Sequence, residues 1–231
     1  MYIAVSIIGQ TSDQALKNIE QAVSQNPDML ELRIDYMQDL SEKALDRLIA
    51  ECSLPVIVTN RHKDEAGFDP RAGFKGSEEQ RIAYLQQAIA LGAEHIDIEA
   101  RKYRSHYQLG KLRTDFKQRS NLIVSYHDFT QTPERLIDMY KAIQRSVKEA
   151  DIIKFATQAN TPEDVKRMIE LIEQADKDII GICMGELGRE TRLHPKNYLT
   201  FACLSEEQAS AGGQYTVGQI RERLSNLPQP Q

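Results

Sequence analysis

Three cysteines in 231 residues, at positions 52, 183 and 203 with no Cys-x-x-Cys spacing, leave no disulfide framework and no zinc site from which to build a fold. They read as small core residues of a reduced, cytoplasmic protein. No apolar run approaches the roughly 18 residues needed to span a bilayer, so no membrane partner is expected. The N-terminus, MYIAVSIIGQTSDQ, lacks a charged segment followed by a long apolar one, and it already has strand character, which argues against a signal peptide. Positive charge is not in surplus either. The formal net charge of −5 excludes a broad nucleic-acid surface while leaving room for a local basic cavity. No linker, low-complexity tract or composition break divides the chain. After the first apolar run, Gly9-Gln10-Thr11 does not supply the glycine-rich phosphate loop of an open doubly wound sheet.

What the sequence does hold is alternation. Hydrophobic residues make up 41% and charged residues 27%, enough for a sizeable core. Short β-branched runs recur at 3–8, 29–35, 55–61, 95–100, 121–128, 151–157, 178–185 and 200–205. Helical patterns lie between most of them, with start signals in front. Ser12-Asp13, Ser41 and Ser77 are such signals, as are Thr132-Pro133-Glu134 and Thr161-Pro162-Glu163, where proline is expected at the first helical position. The polar segment 101–119 is read as a further helix. Eight strand–helix units without a break favour one closed parallel (β/α)8 TIM barrel, a single domain over residues 1–231 with about 226–231 a frayed tail.

Barrels place their chemistry at the C-terminal ends of strands, so the ionisable residues that close each run are the candidates. These are Glu31, Arg33 and Asp35 on the second run, Arg61 on the third, Asp97 and Glu99 on the fourth, and His127 and Asp128 on the fifth. Lys154 lies within the sixth, and the seventh passes Met184 into a loop with Arg189 and Arg192. Two-residue spacing puts Glu31, Arg33 and Asp35 on one strand face. Any one of these residues could be a solvated strand end or part of a structural ion-pair layer. Their convergence on one end of a barrel points instead to a site.

Lys154 is the most informative. Alone, a lysine in DIIKFAT could be a snorkelling surface residue. In a barrel interior, desolvation and nearby arginines would free its amine to attack a carbonyl, and the resulting imine withdraws electrons from the adjacent carbon. His127, one strand earlier, is placed to move the proton. Lysine plus histidine therefore suggests carbon-acid chemistry on a ketone or aldehyde.

Several separated motifs then resemble one family. VSIIGQT, ELRID (31–35), TNRHKDE (59–65), SYHDF (125–129), IIKFAT (152–157), CMGELGRETR (183–192) and SAGGQ (210–214) follow the order found in the type I 3-dehydroquinate dehydratases of the shikimate pathway. The resemblance implies dehydration of 3-dehydroquinate to 3-dehydroshikimate, a syn elimination and the third step towards chorismate and the aromatic amino acids. Lys154 would form the imine, His127 would act as base and then acid, and Glu65 would orient His127. Arg192, Ser210 and Gln214 would hold the substrate carboxylate. Glu31, Arg33 and Arg61 would grip the ring hydroxyls, and Ser6 lies where the family has a binding serine. It further implies no metal or organic cofactor and a homodimer. The chain departs from the family at Ala66, where glycine is usual, and at Gly212, which replaces a proline and is expected to loosen the last loop.

Other signals compete. His95, Asp97 and Glu99 alternate and could be drawn as metal ligands, although their spacing on a buried strand explains them as well. His62, His106 and His194 read as surface residues, and Met184 as core filler or a wall of the mouth. The run 63–81 reads as a solvated loop leading into a helix, with Glu65 its only functional candidate. Two rival functions are another Schiff-base barrel such as a class I aldolase, and a catalytically silent ligand-binding barrel. The first leaves SYHDF and the Arg192–Gln214 pair without a purpose. The second leaves Lys154, His127 and Glu65 intact for no reason.

Overall fold

Each of the eight apolar runs forms a strand, and all paired neighbours are parallel. Residues 1–103, 120–209 and 211–226 are described in this computed structural model. The strands are β1 (Tyr2–Ile7), β2 (Met29–Arg33), β3 (Val56–Thr59), β4 (His95–Glu99), β5 (Asn121–Asp128), β6 (Ile152–Gln158), β7 (Asp178–Met184) and β8 (Leu199–Ala202). The sheet order β7-β6-β5-β4-β3-β2-β1-β8 brings the first and last strands together. Between β7 and β8 the seam is closed by the bridge Ile179↔Asn197 and a 2.8 Å bond from Tyr198 N–H to the Ile179 carbonyl. The Asn197 side chain completes it, accepting from Gly181 N–H at 2.7 Å and donating to the Thr191 carbonyl at 2.9 Å. The result is a nearly closed (β/α)8 TIM barrel.

Seven helices are described: α1 (Ser12–Ser24), α2 (Glu42–Ala50), α3 (Glu78–Ala90), α4 (Ala100–Tyr103), α5 (Leu136–Ser146), α6 (Pro162–Gln174) and α7 (Val217–Ser225). Most begin where a side chain satisfies an otherwise orphan N–H. Ser41 caps α2, and Ser77 with Gln80 and Thr161 with Asp164 close capping boxes on α3 and α6, with Pro162 at the start of α6. Two starts differ from the sequence reading. Thr11, not Ser12, caps α1. The Thr132-Pro133-Glu134 signal does not open a helix, because the Thr132 hydroxyl is drawn inward to Thr157 and the Gln158 carbonyl, both at 2.8 Å; α5 starts only at Leu136. Of the segment 101–119, residues 101–103 are helical, and the rest lies outside the described residues, as do His106 and the tail beyond 226.

Strand parity divides the core in two. One face packs on the helices through residues such as Val5, Leu30, Val58, Ile96, Val124 and Phe155. The other fills the lower barrel with Ala4, Met29, Ile57, Ile123, Ile152, Ile180 and Leu199. Burial of each large aliphatic side chain contributes about 1.5–3 kcal/mol. One step further along β1 to β6 the same inward parity delivers Ser6, Glu31, Thr59, Asp97, Ser125 and Lys154, all buried, while β7 and β8 deliver Ile182 and Phe201. The barrel is thus an apolar floor carrying a polar mouth. Asn197→Ala should destabilise the fold by about 3 kcal/mol, since it strands buried backbone groups at the seam. Urea unfolding checks this, and a loss under 1 kcal/mol would show that the seam holds without the amide.

Candidate active site

The mouth is a cavity of about 580 Å³, counting the space open to solvent. Ser6, Glu31, Arg33, Arg61, Glu65, His127, Lys154, Arg192 and Gln214 all line it. These are nine of the ten residues named from sequence; the tenth, Ser210, lies outside the described residues. Gly67, in the left-handed region at φ 77°, lets the loop after β3 pass Phe129, whose ring would meet a Cβ there at 2.7 Å. That passage sets Glu65 over the end of β5.

Lys154 projects inward from the middle of β6 and is 5% exposed. Its Nζ donates to Asp97 Oδ2 at 3.0 Å and sits 4.2 Å over the Phe201 ring. Asp97 is its ionic partner. The aspartate also pairs with Arg61 Nη1 at 2.9 Å and accepts from the Ser125 hydroxyl at 2.6 Å. Burial alone would raise its pKa, but Arg61 and Lys154 overcome burial and hold it well below the usual carboxylate range. Arg61 further pairs with Glu99 at 3.0 Å, and Glu99 with Arg81 at 3.0 Å. The network therefore runs from the cavity to α3. Charges this deep are tolerable only because each has an opposite partner.

On the other wall, the His127 backbone N–H donates to Glu65 Oε2 at 3.1 Å, and Nδ1 lies 3.2 Å from the same oxygen. Burial drives the two pKa values in opposite directions. Desolvation raises Glu65 to about 7 despite Arg61. Desolvation, then Arg61 and Lys154, push His127 well below its ordinary value. His127 is therefore neutral near pH 7, and a charged Glu65 fixes the proton on Nδ1, leaving Nε2 free to accept one. The Phe129 ring lies nearly parallel to the imidazole, with 13° between planes.

The third wall carries a buried arginine. Arg192 is 2% exposed, its Nη2 donates to the Gly212 carbonyl at 3.1 Å, and its Nε has no partner among the described residues. Desolvation without a carboxylate lowers its pKa to about 10. Gly212, in place of the family's proline, also accepts from Gly185 N–H at 3.2 Å, which ties the last loop to the loop after β7. Gln214 accepts from Ala211 N–H at 3.3 Å. At the rim, Glu31 accepts from Ser6 at 2.7 Å and Thr59 at 2.8 Å.

Some sequence expectations need correction. Asp35 does not share a strand face with Glu31 and Arg33. β2 ends at Arg33, the chain bends into a 3-10 turn (Ile34–Tyr36), and Asp35 clamps the Arg33 guanidinium through two 2.9 Å bonds while accepting from Gly73 N–H. The run 63–81 is not merely solvated, since Arg81 is buried on Glu99. His62 and His194 are only 14% exposed and lie against Asp64 and Glu173. His95 meets the Tyr198 hydroxyl at 3.0 Å, apart from Asp97 and Glu99, which share Arg61. Among the described residues no cluster is placed to hold a metal ion, and no helix is long and apolar enough to cross a membrane. Tyr36, Phe129, Ile182, Met184 and Phe201 also line the cavity. Inward parity with Leu199 could have found Phe201, whereas nothing in the sequence marked Arg81.

Fold and mouth together define a class, the (β/α)8 barrels with their chemistry at the C-terminal strand ends. A family model described as Type I 3-dehydroquinase matches residues 3–229. The chain belongs to that family. It is 33% identical to the 3-dehydroquinate dehydratase of Methanocaldococcus jannaschii, over 97% of this chain and 99% of that protein. It is likewise 33% identical to the Desulfotalea psychrophila 3-dehydroquinate dehydratase, over 98% of each chain. The crystal structure of 3-dehydroquinate dehydratase from Geobacillus kaustophilus matches in fold with a TM-score of 0.83 at 24% identity, covering 97% of this chain and 90% of that one.

Arg81→Met should cost about 3 kcal/mol of stability, because it leaves half of the Glu99 carboxylate buried and unpaired. Denaturant unfolding measures it. An unchanged midpoint would mean that Arg61 alone satisfies Glu99.

Proposed function

We propose that this chain is a 3-dehydroquinate dehydratase, a hydro-lyase that converts 3-dehydroquinate to 3-dehydroshikimate through a Schiff base on Lys154. The observation that carries the proposal is the shared cavity of a buried lysine, a neutral histidine and a desolvated arginine. Loss of water β to a ketone needs an electron sink, a proton carrier and a fixed anion, and these three residues supply one each.

The Lys154 amine adds to the C3 carbonyl, and the carbinolamine loses water to give a C=N bond. His127 Nε2 takes a C2 proton, and the C2–H electron pair flows into the imine as an enamine. The imidazolium returns its proton to the departing C1 hydroxyl on the same ring face, and water leaves by syn elimination. Hydrolysis then releases the enone and the free amine. Glu65 keeps the histidine proton on Nδ1. Arg192, with Ser210 and Gln214, holds the carboxylate, for which a guanidinium is well shaped. Glu31, Arg33, Arg61 and Ser6 contact the ring hydroxyls. In this reading residues 1–231 act as one catalytic domain in the cytoplasm, as a homodimer, without metal or organic cofactor.

Borohydride in the presence of 3-dehydroquinate should leave a reduced adduct on the peptide containing Lys154, detected by mass spectrometry. Lys154→Ala should lose adduct and turnover together. His127→Ala should keep the adduct yet lose roughly 10²–10⁴-fold in kcat. Near-normal turnover in that variant would remove His127 from the scheme. Arg192→Ala should mainly raise KM, by a few kcal/mol at most in binding.

The pH profile tests the Glu65 assignment. As pH falls through about 7 the carboxyl takes up a proton. It then donates to Nδ1, which moves the imidazole proton to Nε2 and blocks the base. kcat/KM should decline on that limb, and the limb should vanish from Glu65→Gln, whose remaining activity is low throughout. In stability the sign is that of a raised acid. The folded state binds more protons between the unfolded value of 4.5 and about 7, so Glu65 favours folding at the acid end and loses that contribution as pH rises through this window.

A further inference from the structure

None of the roles above uses Asp97, although it makes the shortest ionic contact of the reacting amine. We infer that Asp97 is the counter-ion of the imine: it pairs first with the Lys154 ammonium and then with the protonated C=N that replaces it. The inference rests on the Schiff-base reading of Lys154.

The geometry carries it. Asp97 Oδ2 lies 3.0 Å from Lys154 Nζ, with both side chains 6% exposed or less. Its other oxygen is occupied by Arg61 and Ser125. The carboxylate is therefore pinned from behind and presents one oxygen to the nitrogen. From the remaining strands the titratable and charged groups lining the same cavity are Glu31 and Arg33 of β2, Tyr36 beyond it, Arg61 and Glu65 after β3, His127 of β5 and Arg192 beyond β7. Among the hydrogen bonds and ion pairs of the described residues, Asp97 is the only acid bonded to Nζ.

The charge balance fits this role. Ketone plus ammonium gives iminium plus water, with one positive charge on nitrogen before and after. A fixed anion at hydrogen-bond distance serves both states without moving. The iminium carries the electron demand that acidifies C2, whereas an unprotonated imine withdraws far less. Loss of the C1 hydroxyl regenerates a conjugated iminium, which needs the same partner. Asp97 thus contacts a reacting atom, and its part differs from that of the proton-carrying His127.

Asp97→Asn is close to isosteric and tests the charge alone. Borohydride trapping of the 3-dehydroquinate adduct is followed against pH in wild type, Asp97→Asn and Asp97→Glu, with circular dichroism to check folding. Removing an opposite charge at this distance should move the upper pH limit of trapping down by about one to three units in Asp97→Asn, with partial return in Asp97→Glu. An unchanged limit in Asp97→Asn overturns the inference. No adduct in wild type overturns the Schiff-base reading itself, so the two failures are distinct. Should neither variant fold, wild-type enzyme labelled with ¹⁵N-lysine decides the matter through its unreduced adduct. A nitrogen signal that stays protonated to alkaline pH supports the counter-ion, and deprotonation in the neutral range overturns it.

Discussion

A cation taken into a protein interior is costly unless it is paired, and the ion pair between Lys154 and Asp97 meets that constraint at the centre of this molecule. The surrounding architecture follows from holding the pair in place. Aliphatic side chains close the barrel below it, so the amine can be approached only from the C-terminal mouth. Arg61 and Ser125 hold the aspartate from behind, and Glu99, itself bound by Arg81, holds Arg61 in turn. Alternating parity makes this possible: β3, β5 and β6 each contribute an apolar residue to the floor and a polar one to the layer above, and β4 places buried His95 below Asp97.

The same dehydration of the mouth sets the chemistry of the other walls. Burial disfavours charge on Glu65 and on His127 alike, raising the acid and lowering the base. The histidine is thereby ready to accept a proton rather than already carrying one. Arg192 is stripped of water and meets a backbone carbonyl instead of a carboxylate, which lowers its pKa. The three effects share one physical cause, the removal of water from the mouth.

Much of this was legible in the sequence. The eight strands were visible because a parallel barrel buries both faces of every strand and so writes continuous β-branched runs. Serine and threonine starts were visible where the hydroxyl has only a helix to serve, as at Ser41 and Thr161. Thr132 misled because a tertiary partner, Thr157, competed for its hydroxyl, and Asp35 misled because the strand bent one residue before it. Lys154 and His127 stood out as polar residues in apolar runs. Asp97 carried the same mark, but its bond to Lys154 depends on how β4 and β6 face each other across the barrel interior. Arg81 lay beyond reach for a simpler reason. An arginine in an amphipathic helix reads as solvent-facing until the partner beneath it is known.

A double-mutant cycle pairing Lys154→Met with Asp97→Asn, read by equilibrium unfolding, tests the central interaction most directly. If the two charges sustain each other, each single change leaves a buried ion short of one partner, and the double change removes both members of the pair. The cycle should then close with a coupling of about 1–3 kcal/mol, the double variant being more stable than the singles sum to. Additive losses would contradict the account, since they would mean that the amine at position 154 and the carboxylate at position 97 do not depend on one another.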